Sequence, residues 1–272
     1  MAGTSSPQQE THRGTLAALA GLAALSIASL GFGLTRLAIL ARQRKGLAIA
    51  LLVTPGLVAS VAILALLAEL HEQLISPAFR QFDTVVTQAI HGLTTPWLTT
   101  VALAATWLGS PTALIVVALL TALIAFLLRQ WQAGVGAILS VSGAALLTLV
   151  LKLGFHRERP TVSWAILKEV DFSFPSGHAA TSLAVYGMVG FLLWRMLRHG
   201  WLRVVMLMLV AALIGLIGLS RIYLGVHYPS DIVAGYLTGS VWLITSIAVA
   251  RLLALIYPRR EVATEKPATL AA

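Results

Sequence analysis

Residues 220–231 read SRIYLGVHYPSD, and the chain on both sides of them is greasy. Apolar runs at about 204–219 and 231–253 flank the stretch. Each approaches the roughly 20 residues a helix needs to cross hydrocarbon. Where the first run ends, the sequence places a cation, Arg221, a histidine, His227, and a carboxylate, Asp231. Ionisable groups at the edge of a membrane span are costly there and are functional candidates by default. The residue types suit His227 as a nucleophile, Asp231 as its orienter and Arg221 as a ligand for an anion.

The rest of the chain has the same character. Of its 272 residues 58% are hydrophobic and only 11% charged, where a soluble domain carries roughly 25% charged residues. The apolar runs are continuous rather than alternating, which argues against a β-barrel. The fold class is therefore all-α, a polytopic transmembrane helical bundle. A net charge of +9 could point to nucleic acid. The cations cluster in short loops, however, so membrane topology accounts for them and no nucleic-acid partner is expected. There is no cysteine, which excludes disulfides and thiolate chemistry.

In chain order, 1–13 is polar and read as disordered, and 14–46 holds an apolar run at 14–35 followed by a basic loop. A second span is expected at about 47–70, opening a membrane-embedded domain over 47–256, and 257–272 forms a tail. Phe79, Phe82, Val86, Ile90 and Leu93 recur at helical spacing in the polar stretch 71–96, predicting an amphipathic helix on the membrane surface. Asp83, His71 and His91 are read as surface features of that helix. Residues 97–108 form a short apolar helix, partial or re-entrant, interrupted by Gly109-Ser110-Pro111 and leading into a span at about 112–128. A span ending near Leu151 follows, then a polar loop at 152–175 and a span at about 176–194. Tryptophans 97, 107, 131, 194 and 201 lie near span ends, as interfacial anchors do.

Arg42, Arg44, Lys45, Arg129, Arg195, Arg198, Arg203, Arg259 and Arg260 fall in alternate loops, which are cytoplasmic by the positive-inside rule. The opposite face receives 71–96, 152–175 and 220–230, the loops with the unusual polar residues. The spans number seven if 14–35 crosses and six if it does not.

Three clusters thus share one face: KLGFHRERP at 152–160, FPSGH at 174–178 and the stretch at 220–231. Lys152, Arg159 and Arg221 can neutralise phosphate oxygens, arginine in bidentate fashion. Ser176 and Gly177 open a helix whose free N–H groups and dipole favour an anion. An anion held in this way has its equatorial charge stabilised, which is most of what phosphoryl transfer requires. What remains is a nucleophile, His227 oriented by Asp231, and an acid for the leaving oxygen, His178. No carboxylate set for magnesium is present, so no metal and no cofactor are expected.

K-x6-RP, PSGH and SR-x5-H-x3-D, in this order, resemble the type 2 phosphatidic acid phosphatase superfamily, which includes the vanadium haloperoxidases. Lys152, Arg159, Pro160, Pro175, Ser176, Gly177, His178, Ser220, Arg221, His227 and Asp231 occupy every fixed position. The resemblance covers roughly 47–253 and implies a six-helix core, with 14–35 as an extra N-terminal helix. It further implies a phospho-histidine on His227, acid/base work by His178, and phosphate binding by Lys152, Arg159, Ser176, Gly177 and Arg221. Turnover without metal, and in bacterial members an active site facing the periplasm or cell exterior, are also implied. The expected partner is a lipid phosphate or diphosphate from the bilayer, such as phosphatidate, phosphatidylglycerol phosphate or undecaprenyl diphosphate. A lipid phosphotransferase would use the same residues. A haloperoxidase fits poorly with so many apolar runs, and a non-catalytic binder or transporter would not require both histidines and Asp231. His156, Arg157 and Lys168 are read as solvated loop residues or headgroup contacts, and Glu69 as interfacial or touching the site.

Overall fold

The computed structural model of the chain describes residues 76–257 continuously, together with helical residues 54, 58–63, 65–67 and 69. The expected segments at 1–13 and 14–35, most of 47–70, His71 and the tail beyond 257 lie outside the described residues.

Seven helices follow in order: α1 Pro77–His91, α2 Pro96–Leu108, α3 Pro111–Leu127, α4 Trp131–Phe155, α5 Gly177–Met196, α6 Gly200–Tyr223 and α7 Pro229–Ile256. No strand occurs among the described residues. The first three helices start by one device. Ser76, Thr95 and Ser110 are each followed by proline, and their hydroxyls accept the N–H groups of Phe79, Leu98 and Ala113 at 3.3–3.4 Å. A serine or threonine cap satisfies an orphan donor, and proline in the first turn loses nothing by lacking an N–H.

Helices α4 to α7 are each long and apolar enough to cross a bilayer, and α2 with α3, bent by 53° at Gly109-Ser110, forms a broken fifth span. The interruption expected there is thus a sharp bend. A Cβ on Gly109 would stand 2.4 Å from Cγ2 of Ile217 and 3.1 Å from ring Cδ2 of His178, so only glycine lets the bend approach the site.

Small residues fill many of the helix–helix contacts of the interior, beside large ones such as Leu114, Met188 and Ile217, while the exterior is built from large apolar ones. Ala105, Ala118, Ala125, Ala137, Ala144 and Ala180 are buried, while Leu120, Leu123, Met208, Leu209 and Leu219 face outward. Lipid tails are as apolar as leucine, so helices gain by close backbone approach rather than by hiding leucines. The α5–α7 crossing shows this: a Cβ on Gly239 would lie 2.3 Å from the carbonyl oxygen of Ala180.

Two expected boundaries move. Helix α4 runs past Leu151 to Phe155, and α6 past Leu219 to Tyr223, so Lys152 and Arg221 sit in the last turns of helices rather than in loops. Hydropathy falls at a charged residue, but backbone hydrogen bonding does not.

Helix α1 lies across the ends of α6 and α7. Its inward face is Phe79, Asp83, Val86, Thr87 and Ile90, whereas Phe82 and Leu93, expected on the apolar stripe, are exposed. Asp83 is no surface feature: it is 1% exposed. His91 stacks face to face on Trp164 with ring centroids 3.9 Å apart.

Candidate active site

The C-terminal ends of α4 and α6 and the N-terminal ends of α5 and α7 meet at one end of the bundle, with the 156–176 loop folded across them. This parity brings the three sequence clusters together. Lys152, Gly177, His178 and His227 line a common cleft of about 470 Å³ with Glu169 and Asp171. The cleft continues between α3 and α4 along Leu114, Ile115, Val141, Ala145 and Leu149.

His227 lies in the short connection between α6 and α7 and is almost wholly buried. Its Nδ1 is 3.3 Å from Oδ2 of Asp231, and its Nε2 is 3.2 Å from Nη1 of Arg159. A guanidinium only donates, so Nε2 must be the accepting nitrogen and the proton sits on Nδ1, facing the carboxylate. Burial pushes the imidazole below its ordinary value; Asp231 opposes this, and Arg159 and Arg221 add to it. The ring is therefore neutral at neutral pH, with a lone pair at Nε2.

Asp231 does more than orient a ring. At the third position of α7 its Oδ2 accepts the N–H of Tyr228 at 2.9 Å and the hydroxyl of Ser173, and its Oδ1 accepts Nη1 of Arg157 at 2.6 Å. Arg157 is thus neither a solvated loop residue nor a headgroup contact; its guanidinium bridges Asp231 and Asp83.

The cations are paired by residues the sequence reading passed over. Asp171 accepts from Lys152 and Arg159, and Glu169 pairs with Arg159 at 2.7 Å and with Arg221. Burial alone would raise the Asp171 carboxyl, but its hydrogen bonds to Lys152 and Arg159 prevail and hold it at about 2. Arg221 also donates through Nη1 to Thr106 Oγ1 at 2.6 Å. Its Nε, and the hydroxyl of Thr148 on the cleft wall, are buried and make no hydrogen bond among the described residues. Thr148 thus leaves an unengaged hydroxyl on the cleft wall.

Ser176 caps α5, its hydroxyl accepting the N–H of Ala179 at 3.4 Å, and its own N–H donates to the carbonyl of Asp231 at 3.0 Å. A Cβ on Gly177 would meet nothing closer than Thr148 Cγ2 at 3.6 Å, so packing within the chain does not demand glycine there. Among the described residues, no group of three or more His, Asp or Glu side chains is placed to hold a metal ion.

Residues 133–254 match the PAP2 superfamily. Phosphatidylglycerophosphatase B of Bacillus subtilis is 30% identical over 177 residues, spanning 65% of this chain and 85% of that protein. The chain belongs to the PAP2 superfamily. Another relative, undecaprenyl-diphosphatase of Sulfolobus acidocaldarius, is 34% identical over 128 residues, 45% of this chain and 57% of its own length. The crystal structure of a transmembrane PAP2-type phosphatidylglycerolphosphate phosphatase from Bacillus subtilis superposes with a TM-score of 0.63 at 26% identity, covering 69% of this chain and 94% of that one. The PAP2 match at 133–254 contains every histidine, lysine and arginine singled out from the three motifs, and leaves α1 and Asp83 outside it.

Of the residues missed, Asp83 had a signal. Position 83 falls in the same helical stripe as 79, 86 and 90, and a carboxylate on a buried stripe asks for a partner. Glu169 and Asp171 had none, because a loop acid of unknown partner looks like any solvated acid.

Proposed function

We propose that this PAP2 protein hydrolyses the terminal phosphate of a membrane lipid phosphate or diphosphate through a phospho-histidine on His227. Membership of the family makes the chain a phosphoric ester hydrolase acting on membrane lipids. The phospho-histidine route rests on one observation, the Nε2 lone pair of His227. It is held toward the cleft by a proton shared with Asp231 and ringed by Lys152, Arg159 and Arg221.

In the first step Nε2 attacks phosphorus as the bond to the lipid oxygen breaks. His178 donates a proton to the leaving oxygen, and Nδ1–H stays on the Asp231 side, where the carboxylate stabilises the developing positive charge. The arriving phosphate itself favours a charged His178 by adding negative charge beside it. In the second step His178 takes a proton from water, whose oxygen attacks phosphorus and breaks the P–N bond, releasing inorganic phosphate and restoring both histidines. Lys152, Arg159 and Arg221, with the N–H group of Gly177 at the start of α5, hold the equatorial oxygens through both steps, while the Ser176 N–H stays on the Asp231 carbonyl. Phosphate entry requires the cations to exchange Glu169 and Asp171 for substrate oxygens.

The apolar walls along α3 and α4 suit a tail that stays in the bilayer while the headgroup reaches His227. Phosphatidate, phosphatidylglycerol phosphate and undecaprenyl diphosphate all meet these requirements. Arg129, Arg195, Arg198 and Arg203 lie at the opposite end from the cleft. That supports a bacterial inner-membrane protein with its site facing the periplasm or exterior. The test is phosphate release by the detergent-purified protein from each of the three lipids, with EDTA and without added acceptor. Release in EDTA is expected, and His227→Ala is expected to abolish it. Turnover only with an added alcohol acceptor would make the protein a phosphotransferase, and wild-type turnover by His227→Ala would refute the intermediate.

A further inference from the structure

Asp83 touches no part of the phosphate chemistry, yet it is among the most deeply buried charges in the protein. Its Oδ1 accepts the N–H of Ser230 at 3.1 Å, and its Oδ2 accepts the Ser230 hydroxyl at 2.5 Å. Arg157 stands between it and the site. Nη2 donates to Asp83 Oδ2 at 2.7 Å, while Nη1 donates to Asp231 Oδ1 at 2.6 Å and to the Ser230 hydroxyl at 2.8 Å. The ring of Tyr228 covers the guanidinium face at 4.5 Å.

The two oxygens of Asp231 therefore have separate partners: Oδ1 takes Arg157, and Oδ2 takes His227 together with the Tyr228 N–H and the Ser173 hydroxyl. A planar guanidinium fixes the plane of a carboxylate in a way a point charge does not. Charge matters as well. Two carboxylates share one guanidinium, which leaves one negative charge that only neutral donors meet, namely Ser230, Ser173, the Tyr228 N–H and the Nδ1 proton of His227, and of these only the imidazole can take up a charge. Without Asp83, Arg157 would bear on Asp231 alone and weaken its hold on that proton.

We propose that Asp83 and Arg157 are positioning residues for the nucleophile: Arg157 locks Asp231 against His227, and Asp83 sets how much of the Arg157 charge Asp231 feels. Helix α1 becomes part of the active site by this route. The inference rests on His227 being the nucleophile. The other groups facing His227 are Arg159 and Glu169 of the loop, Arg221 of α6, His178 of α5 and, across the cleft, Lys152 of α4. None of them bonds to the side chain of Asp83 or Arg157, whose partners are Ser230, Asp231 and each other.

The experiment measures phosphate release from dioctanoyl phosphatidate by full-length Asp83→Asn and Arg157→Gln across pH. Helicity and thermal unfolding are followed in parallel, and His227→Ala serves as reference. In both variants kcat is expected to fall about 10- to 100-fold, the usual scale for groups that orient a reacting side chain without touching substrate. KM should stay within about twofold of the parent, as for groups that make no ground-state contact with substrate. The acid limb of kcat/KM should move in opposite directions. It goes to lower pH in Asp83→Asn, where undivided Arg157 charge weakens the carboxylate's hold on the imidazolium, and to higher pH in Arg157→Gln, where Asp231 is freed. Arg157→Lys should return the limb toward its parental position without restoring kcat. Opposite limb movements would not follow from a merely structural link, and either variant alone decides if the other does not fold. Parental kcat and an unmoved limb in folded variants would overturn the proposal, as would a fall in kcat with no limb movement. Turnover by His227→Ala would instead remove the nucleophile reading, and it is scored without either variant.

Discussion

At the cleft end of the bundle Arg221 is buried, Arg157 and Arg159 are mostly covered, and each is paired with one or two carboxylates. At the other end Arg195 and Arg251 flank the ring of Phe191 at 5.7 and 5.5 Å, and Arg203 lies over Trp194 at 5.3 Å. Among the described residues none of these three has a carboxylate partner. A buried charge is tolerated only when paired, so the cleft arginines hold internal anions that a substrate must displace. A rim arginine keeps its head wet and lays its stem on apolar surface, so it needs no partner and serves orientation instead. The same residue type is a ligand at one end and an address at the other.

The sharpest way to break that contrast is to remove one arginine from each end. Arg221→Ala should lower phosphate release about 10³-fold, on the scale of arginines that stabilise a transferring phosphoryl group. It should also lower the unfolding temperature by leaving Oε1 of Glu169 and the hydroxyl of Thr106 without the donor they share, although Oε2 of Glu169 keeps Arg159.

A pH profile comes next. Because burial holds His227 below its ordinary value, neutral His227 should persist under mildly acidic conditions. The acid limb of kcat/KM should then fall below pH ~6.5, the ordinary imidazole value. A limb above that value would mean that the Asp231 carboxylate outweighs the burial of His227.

Asp171→Asn tests the internal anion. The carboxylate is 54% exposed, so its ion pairs are worth little, and freeing Lys152 and Arg159 should lower KM about two- to fivefold. Its depressed pKa also fixes a stability window. The contribution is present above the unfolded carboxyl value near ~4 and is lost as pH falls toward about 2. Parent and variant should therefore differ in unfolding temperature at pH 7 and converge near the acid end.

The smallest effect belongs to the other end of the bundle. Arg195→Gln, Arg203→Gln and Arg251→Gln should each leave turnover within about twofold and stability within about 0.5 kcal/mol, as exposed substitutions do. A larger loss of turnover in any of them would end the division of labour.

The helical class, the bent segment at Gly109 and the meeting of three motifs on one face were all legible. They follow from hydropathy, from Gly-Ser-Pro punctuation and from counting spans, which are local or additive signals. The pairings were not. Arg157 meets Asp83 across 74 positions, and Arg221 meets Glu169 across 52. Nothing in the neighbourhood of either acid names its partner. Lys152 and Arg221 were assigned to loops because charge ends an apolar run, whereas the helix continues until its backbone bonds stop. Asp83 was the recoverable miss, since helical phase alone puts it on the inward face of α1.

The alanine-and-glycine interior carries a consequence for how this protein can change over time. Where helices cross on alanine and glycine the side chains are already minimal, with almost nothing to lose by truncation and no room for growth, as Gly239 against Ala180 illustrates. The lipid-facing leucines, valines and methionines can be exchanged for one another at little cost. Drift should therefore be fast on the outside and nearly frozen within, the reverse of the pattern in a water-soluble enzyme, where surface freedom is polar and the core trades one large apolar residue for another.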